Sequence, residues 1–118
     1  MEKLIIKGNG PISGEVKVSG AKNAALPIMA SSLLATGEHR IMGVPHLRDI
    51  GTMIRLLEHV GAEVEWNDEL RIHTNRFSGV EAPYDLVKTM RASVLVLGPL
   101  VGQLRRARVS LPGGCAIG

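Results

Sequence analysis

The sequence predicts an α/β (α+β) domain built from a repeated unit of strand and helix. Three observations carry that expectation. Some short segments alternate apolar and polar residues at period two, others place apolar residues three and four apart, and the chain resembles itself when slid by about 69 positions.

Residues 4–6 and 14–19 read as short strands joined by a turn at 8–11, the second alternating Val16 and Val18 with polar neighbours. A helical segment follows over residues 23–35. Pro27 falls within its first turn or so, where a missing N–H is tolerated, and Gly37 stops it. Residues 41–44 are expected to form a strand ended by Pro45. Leu47, Ile50, Ile54, Leu57 and Val60 then recur at helical spacing, which predicts an amphipathic helix closed by Gly61. Residues 63–66 and 70–73 flank Asn67-Asp68-Glu69, the pattern of a tight hairpin with Val64 and Trp66 toward the core. After a loop at 76–79, a second helical stretch runs from Asp85 toward Leu104.

The self-similarity places Lys22 on Arg91, residues 24–34 on 93–103, and 41–44 near 109–112. In both copies a cation opens a helix that feeds a strand. The unit is then roughly 70 residues long, and the chain holds about one and a half of them. A half unit at the end implies a continuation beyond Gly118.

With 118 residues, 45% of them hydrophobic and 21% charged, the chain can bury a modest core and does not have the composition of a disordered protein. Its longest apolar stretch, residues 24–35, is too short to span a membrane and is interrupted by Pro27, Ser31 and Ser32. The first residues lack the basic-then-apolar layout of a signal peptide, so a cytoplasmic location is expected. A net charge of +3 suits an anionic small molecule but falls short of a nucleic-acid footprint. Phe77, Trp66 and Tyr84 are the only aromatic residues, too few for a base-stacking platform. The four histidines lack metal-ligand spacing, and neither a metal nor a cofactor is expected.

Lys22 and Asn23 fall at the expected start of a helix, where backbone donors and the helix dipole favour an anion. The same pair also suits a solvated lysine beside a plain N-cap. Arg91 occupies the equivalent place in the second unit, and arginine suits bidentate recognition of phosphate or carboxylate. Taken alone, an arginine near a helix start is usually just a surface residue. The repeat brings the two together, since two units converging their helix starts would share one anion pocket. Cys115 sits in a glycine-rich loop, either as a reactive thiol near cations or as a small buried hydrophobe. Arg105, Arg106 and Arg108 are explained by a helix end and solvated strand positions, and the methionines by core filling.

Three ordered motifs, GAKNAALP at residues 20–27, APYDLVKTMRAS at 82–93 and LPGGC at 111–115, are similar to those of the UDP-N-acetylglucosamine enolpyruvyl transferases. The resemblance covers the whole chain. It implies an inside-out α/β barrel of two domains, each built from three βαβαββ units, with the active site between them. It further implies that residues 1–20 are strands packing with the second domain, that residues 21–118 begin the first domain, and that the chain is under a third of the enzyme. The implied reaction moves the enolpyruvyl group of phosphoenolpyruvate onto the 3'-hydroxyl of UDP-N-acetylglucosamine and releases phosphate, an early step of peptidoglycan synthesis.

In that scheme Lys22 and Asn23 meet phosphoenolpyruvate, Arg91 contacts the anionic substrates, and Cys115 donates a proton, forms a covalent adduct and is the thiol alkylated by fosfomycin. The missing remainder of the enzyme would supply further contacts, and the segment alone is expected to be inactive. The related enolpyruvyl transferase of the shikimate pathway shares this architecture, although its loop is not expected to carry a cysteine like Cys115. A non-catalytic module binding a nucleotide sugar or phosphoenolpyruvate is the alternative of a different class.

Overall fold

A computed structural model describes residues 3 to 111; Cys115 and the rest of its glycine loop lie outside the described residues. Helix α1 (Lys22–Ser31) runs into a 3-10 turn over Ser32–Leu34. Strand β1 (Gly37–Ile41), helix α2 (Arg48–His59) and the hairpin of β2 (Glu63–Trp66) and β3 (Leu70–Thr74) follow. Then come β4 (Glu81–Ala82), the short α3 (Tyr84–Val87), a 3-10 segment over Arg91–Val96, α4 (Leu97–Leu104) and β5 (Arg108–Val109).

Strands β1, β3 and β2 form an antiparallel sheet in that order, with β3 central. Register explains its two faces. Ile41, Leu70 and Trp66 align in one row and His39, Ile72 and Val64 in the next, which puts the apolar residues of the period-two pattern on one side. The opposite side carries Arg40, Arg71 and Glu65, then Glu38, His73 and Glu63. Arg40–Glu38 and Arg71–Glu69 ion pairs at 2.5 and 2.7 Å offset the facing arginines there.

Helices α1 and α2 pack on each other and bury Leu26, Met29, Ile50, Met53, Leu56 and Leu57 with the inward β3 residues Leu70 and Ile72. Removing so many large apolar side chains from water is the main stabilising term, about 1.5–3 kcal/mol for each one fully buried. Thr74 Oγ1 donates to the Ser32 carbonyl at 3.3 Å in this interior and ties the sheet to the end of α1.

Several expectations hold. The amphipathic helix is α2, and it ends in a Schellman arrangement: Ala62 N–H reaches the Leu57 carbonyl, Gly61 N–H reaches that of Glu58, both at 3.0 Å, and Gly61 takes φ +110°. The hairpin forms around Asn67-Asp68-Glu69, with Val64 and Trp66 half-buried against the core.

Others are corrected. Residues 3 to 20 form no strand; Leu4, Ile5, Ile6, Ile12, Val16 and Val18 are each at least 78% exposed. A strand needs a hydrogen-bonding neighbour, and none of the described strands pairs with this segment. Pro27 is the sixth residue of α1, beyond the first turn. The helix continues past it because Leu26, Met29 and Ala30 are buried, an instance of packing overriding local propensity.

The strand expected at 41–44 is β1, shifted earlier, since Gly43 turns the chain with φ +69° and Gly20 packs so closely on the Gly43 carbonyl that no Cβ would fit. The long helix expected from Asp85 is broken. Pro99 supplies no N–H to the carbonyl of Leu95, so a regular helix starts at Leu97 with Pro99 in its first turn, and the chain before it is 3-10.

Part of the 69-residue offset is visible in the structure, although the helical and 3-10 pieces come in opposite order in the two segments. β4 and β5 are parallel and are joined through α4, with Glu81 opposite Arg108 and Ala82 opposite Val109. β5 falls where an offset of 69 from β1 puts it, and Gln103 Nε2 donates to the Leu34 carbonyl, its own counterpart at that offset. The two 3-10/helix segments thus lie side by side. These residues form a mixed α/β fold.

Candidate active site

Lys22 is the first residue of α1 and Asn23 the second. The N-cap is Ala21, whose carbonyl receives the N–H groups of Ala24 and Ala25 at 3.2 and 2.9 Å, so Asn23 is not the plain N-cap that sequence allowed. No acidic residue occupies this first turn and no side chain caps it, which leaves the positive end of the helix dipole beside a cation. Lys22 Nζ donates to Asp49 Oδ2 at 2.8 Å. Asp49 is the second residue of α2, at the end of a helix where a carboxylate is favoured.

Arg91 opens the 3-10 segment after Met90, whose extended backbone (φ −142°, ψ 108°) reverses the chain out of α3. The buried Met90 side chain anchors that corner, and Ser93 Oγ returns to the Met90 carbonyl at 2.6 Å. Packing of α1 against the Arg91–Val96 segment then sets the two units' helix starts face to face. The result is a cleft of about 350 Å³ bordered by Lys22, Asn23, Leu26, Asp49, Met90 and Arg91, with Thr89 and Ala92 completing its rim. Lys22, Asn23 and Arg91, singled out in sequence at separate places, border one cavity. Two cations and an amide against one carboxylate suit an anion.

A larger hollow, about 540 Å³, lies by Met42, Glu65, Asn67, Asp68, Glu69 and Arg71 on the charged side of the hairpin. It presents three carboxylates against one arginine, the wrong balance for an anionic ligand. Another, of about 490 Å³, lies between residues 17–20 and 43–47 and is mostly apolar apart from Lys17, Ser19 and His46. The cleft at Lys22 is the candidate because it brings together residues from the starts of both helical segments with an anion-suited charge balance. Asp49 is the residue that sequence reasoning missed: its only local signal was an acid in the first turn of a helix, which capping alone explains. Among the described residues no cluster of histidine, cysteine or carboxylate side chains could hold a metal ion, and no helix is long and apolar enough to cross a membrane.

The model of the EPSP synthase (3-phosphoshikimate 1-carboxyvinyltransferase) family matches residues 6–118. The chain belongs to that family. This family member is 60% identical over 118 residues to a UDP-N-acetylglucosamine 1-carboxyvinyltransferase of Thermodesulfovibrio yellowstonii, and 61% identical over 119 residues to one of Geobacter metallireducens. All of the chain is covered in each case, against 28% of each relative, so it spans little more than a quarter of their length. The enolpyruvyl transferase NikO from Streptomyces tendae, a crystal structure, superposes with a TM-score of 0.69 over 75% of this chain and 21% of its own, at 24% identity. That likeness shows a shared fold.

Proposed function

We propose that this chain provides the phosphoenolpyruvate-binding part of an enzyme that transfers the enolpyruvyl group to the 3'-hydroxyl of UDP-N-acetylglucosamine and releases phosphate. The observation that carries the proposal is the convergence of Lys22, Asn23 and Arg91 on one cleft. The relatives named for this reaction, at about 60% identity, support it over the 3-phosphoshikimate reaction that gives the family its description.

The chemistry explains the residue types. Addition of the hydroxyl to carbon 2 of phosphoenolpyruvate needs a proton delivered to its methylene carbon, and elimination then expels phosphate. Substrate, intermediate and leaving group are all anionic, so fixed cations stabilise each stage. Lys22 and Arg91 supply those charges, and the Asn23 amide orients the reacting group. Cys115 delivers the proton and is the nucleophile that fosfomycin alkylates. The proposal includes the inside-out barrel, with residues 21–118 in its first domain and residues 1–20 packing with the second. The exposed apolar side chains of the 3–20 segment support that assignment. The proposed setting is cytoplasmic, in the making of peptidoglycan.

The test uses the protein encoded by the complete reading frame that carries residues 1–118. Lys22→Ala and Arg91→Ala are each expected to slow phosphate release by about tenfold or more, the loss of one charge-assisted contact of about 1.4 kcal/mol. Wild-type rates in both variants would return these residues to the solvated surface.

A further inference from the structure

The Lys22–Asp49 contact joins positions 27 residues apart, the first residue of one helix and the second of another, and both side chains border the same cleft. We propose that Asp49 is a positioning residue for Lys22: its carboxylate fixes where the ammonium stands at the cleft, so that the lysine meets the phosphate or carboxylate of the substrate in one orientation. The inference rests on the function proposed above.

Four features favour this over a stabilising surface ion pair. Lys22 occupies the end of α1 where the dipole disfavours a cation, and Asp49 stands in the first turn of α2, where a carboxylate is favoured. A lysine side chain is long and flexible and has no planar fork to orient it, so it needs an external acceptor to define its direction. An ammonium carries three donors, so the contact with Asp49 is compatible with a second contact to a ligand anion. The pair is also partly solvated, with side chains 45% and 29% exposed, a setting in which ion pairs add little to stability.

A carboxylate beside an anion site must cost ground-state affinity, and this gives the proposal a distinctive kinetic signature. In the complete-frame protein, Asp49→Ala is expected to lower kcat about tenfold while KM for phosphoenolpyruvate stays level or falls, because repulsion is removed as orientation is lost. Asp49→Asn retains an oxygen acceptor and should recover at least about threefold of that kcat. A rise in KM with unchanged kcat, or an asparagine variant no better than alanine, would overturn the proposal.

A second measurement needs no turnover. Trace acetylation of the native protein, read by peptide mass spectrometry, reports how freely each lysine reacts. Lys88, whose partner Asp85 is left intact, is the internal reference. Asp49→Ala should raise labelling of Lys22 relative to Lys88 by about threefold, since the carboxylate that engages the Lys22 amine at 2.8 Å no longer restricts the reagent's approach. An unchanged ratio overturns the positioning role. If the ratio rises while wild-type protein releases no phosphate with any acceptor, the Lys22–Asp49 coupling stands and the functional proposal fails.

Discussion

Gly61→Ala should be among the most damaging single-methyl additions in the described fold, for reasons that can be worked through atom by atom. Gly61 takes φ +110°, and a Cβ there would stand 2.7 Å from both the Arg76 carbonyl oxygen and the Ser78 nitrogen. Both obstacles are backbone, so no side chain can swing aside. Holding a non-glycine residue at such a φ costs about 1–3 kcal/mol. Moving residues 76–78 away also breaks the 3.0 Å bond from Ser78 N–H to the Val60 carbonyl, about 1 kcal/mol more.

The sum, about 3 kcal/mol, corresponds to roughly a hundredfold in a local opening equilibrium. Amide hydrogen exchange along α2 is the suitable assay, because it reads local opening without requiring a two-state transition of the complete-frame protein. Gly51→Ala, inside the same helix with nothing within 4 Å of its would-be Cβ, is the control. Alanine's helix propensity should slow exchange there by about fourfold, or about 0.9 kcal/mol. If Gly61→Ala leaves α2 exchange within about threefold of wild type, the account of how this helix is terminated is wrong.

Three further outcomes are expected. Cys115 in the complete-frame protein should be the thiol that takes one fosfomycin equivalent by intact mass, and Cys115→Asp should keep turnover while losing the adduct, since a carboxylic acid also donates a proton; iodoacetamide labelling without any fosfomycin adduct would refute the reactive role. The Asp85 carboxyl, held below its ordinary 3.8 by the hydrogen bond and then the charge of Lys88, contributes stability above that ordinary value and loses it as pH falls through the lowered one. Carbon-detected NMR titration should show the carboxyl rising in Lys88→Met, and because both groups are exposed to solvent the shift should shrink with added salt. Residues 1–118 expressed alone should release no phosphate and should self-associate on size exclusion, because β1 and β2 are open sheet edges among the described residues and the apolar residues of the 3–20 segment are uncovered; a monodisperse, cooperative monomer would contradict this.

What could be read from sequence follows the physics of each element. Helix α2 and the hairpin were legible because their apolar residues recur at one period and their ends carry local signals, Gly61 and the Asn67-Asp68-Glu69 turn. β1 was misplaced because its inward positions are Gly37, His39 and Ile41, a pattern with little apolar contrast, while the more apolar 41–44 run drew the assignment. The 3–20 segment alternates like a strand, yet alternation states only that one face wants burial and not which surface provides it. For the site, the offset repeat identified Lys22 and Arg91 as equivalents, and the cleft between them follows from the packing of α1 on the Arg91–Val96 segment. Asp49 was invisible to the same reasoning because it enters the cleft from a third element, and only tertiary structure relates it to Lys22.

The central claim concerns which acceptor receives the enolpyruvyl group, and phosphate release from phosphoenolpyruvate measures it directly. With the complete-frame protein and each acceptor at saturation in turn, release should be rapid with UDP-N-acetylglucosamine and stay at background with 3-phosphoshikimate. Release driven by 3-phosphoshikimate, with none above background for UDP-N-acetylglucosamine, would contradict the account.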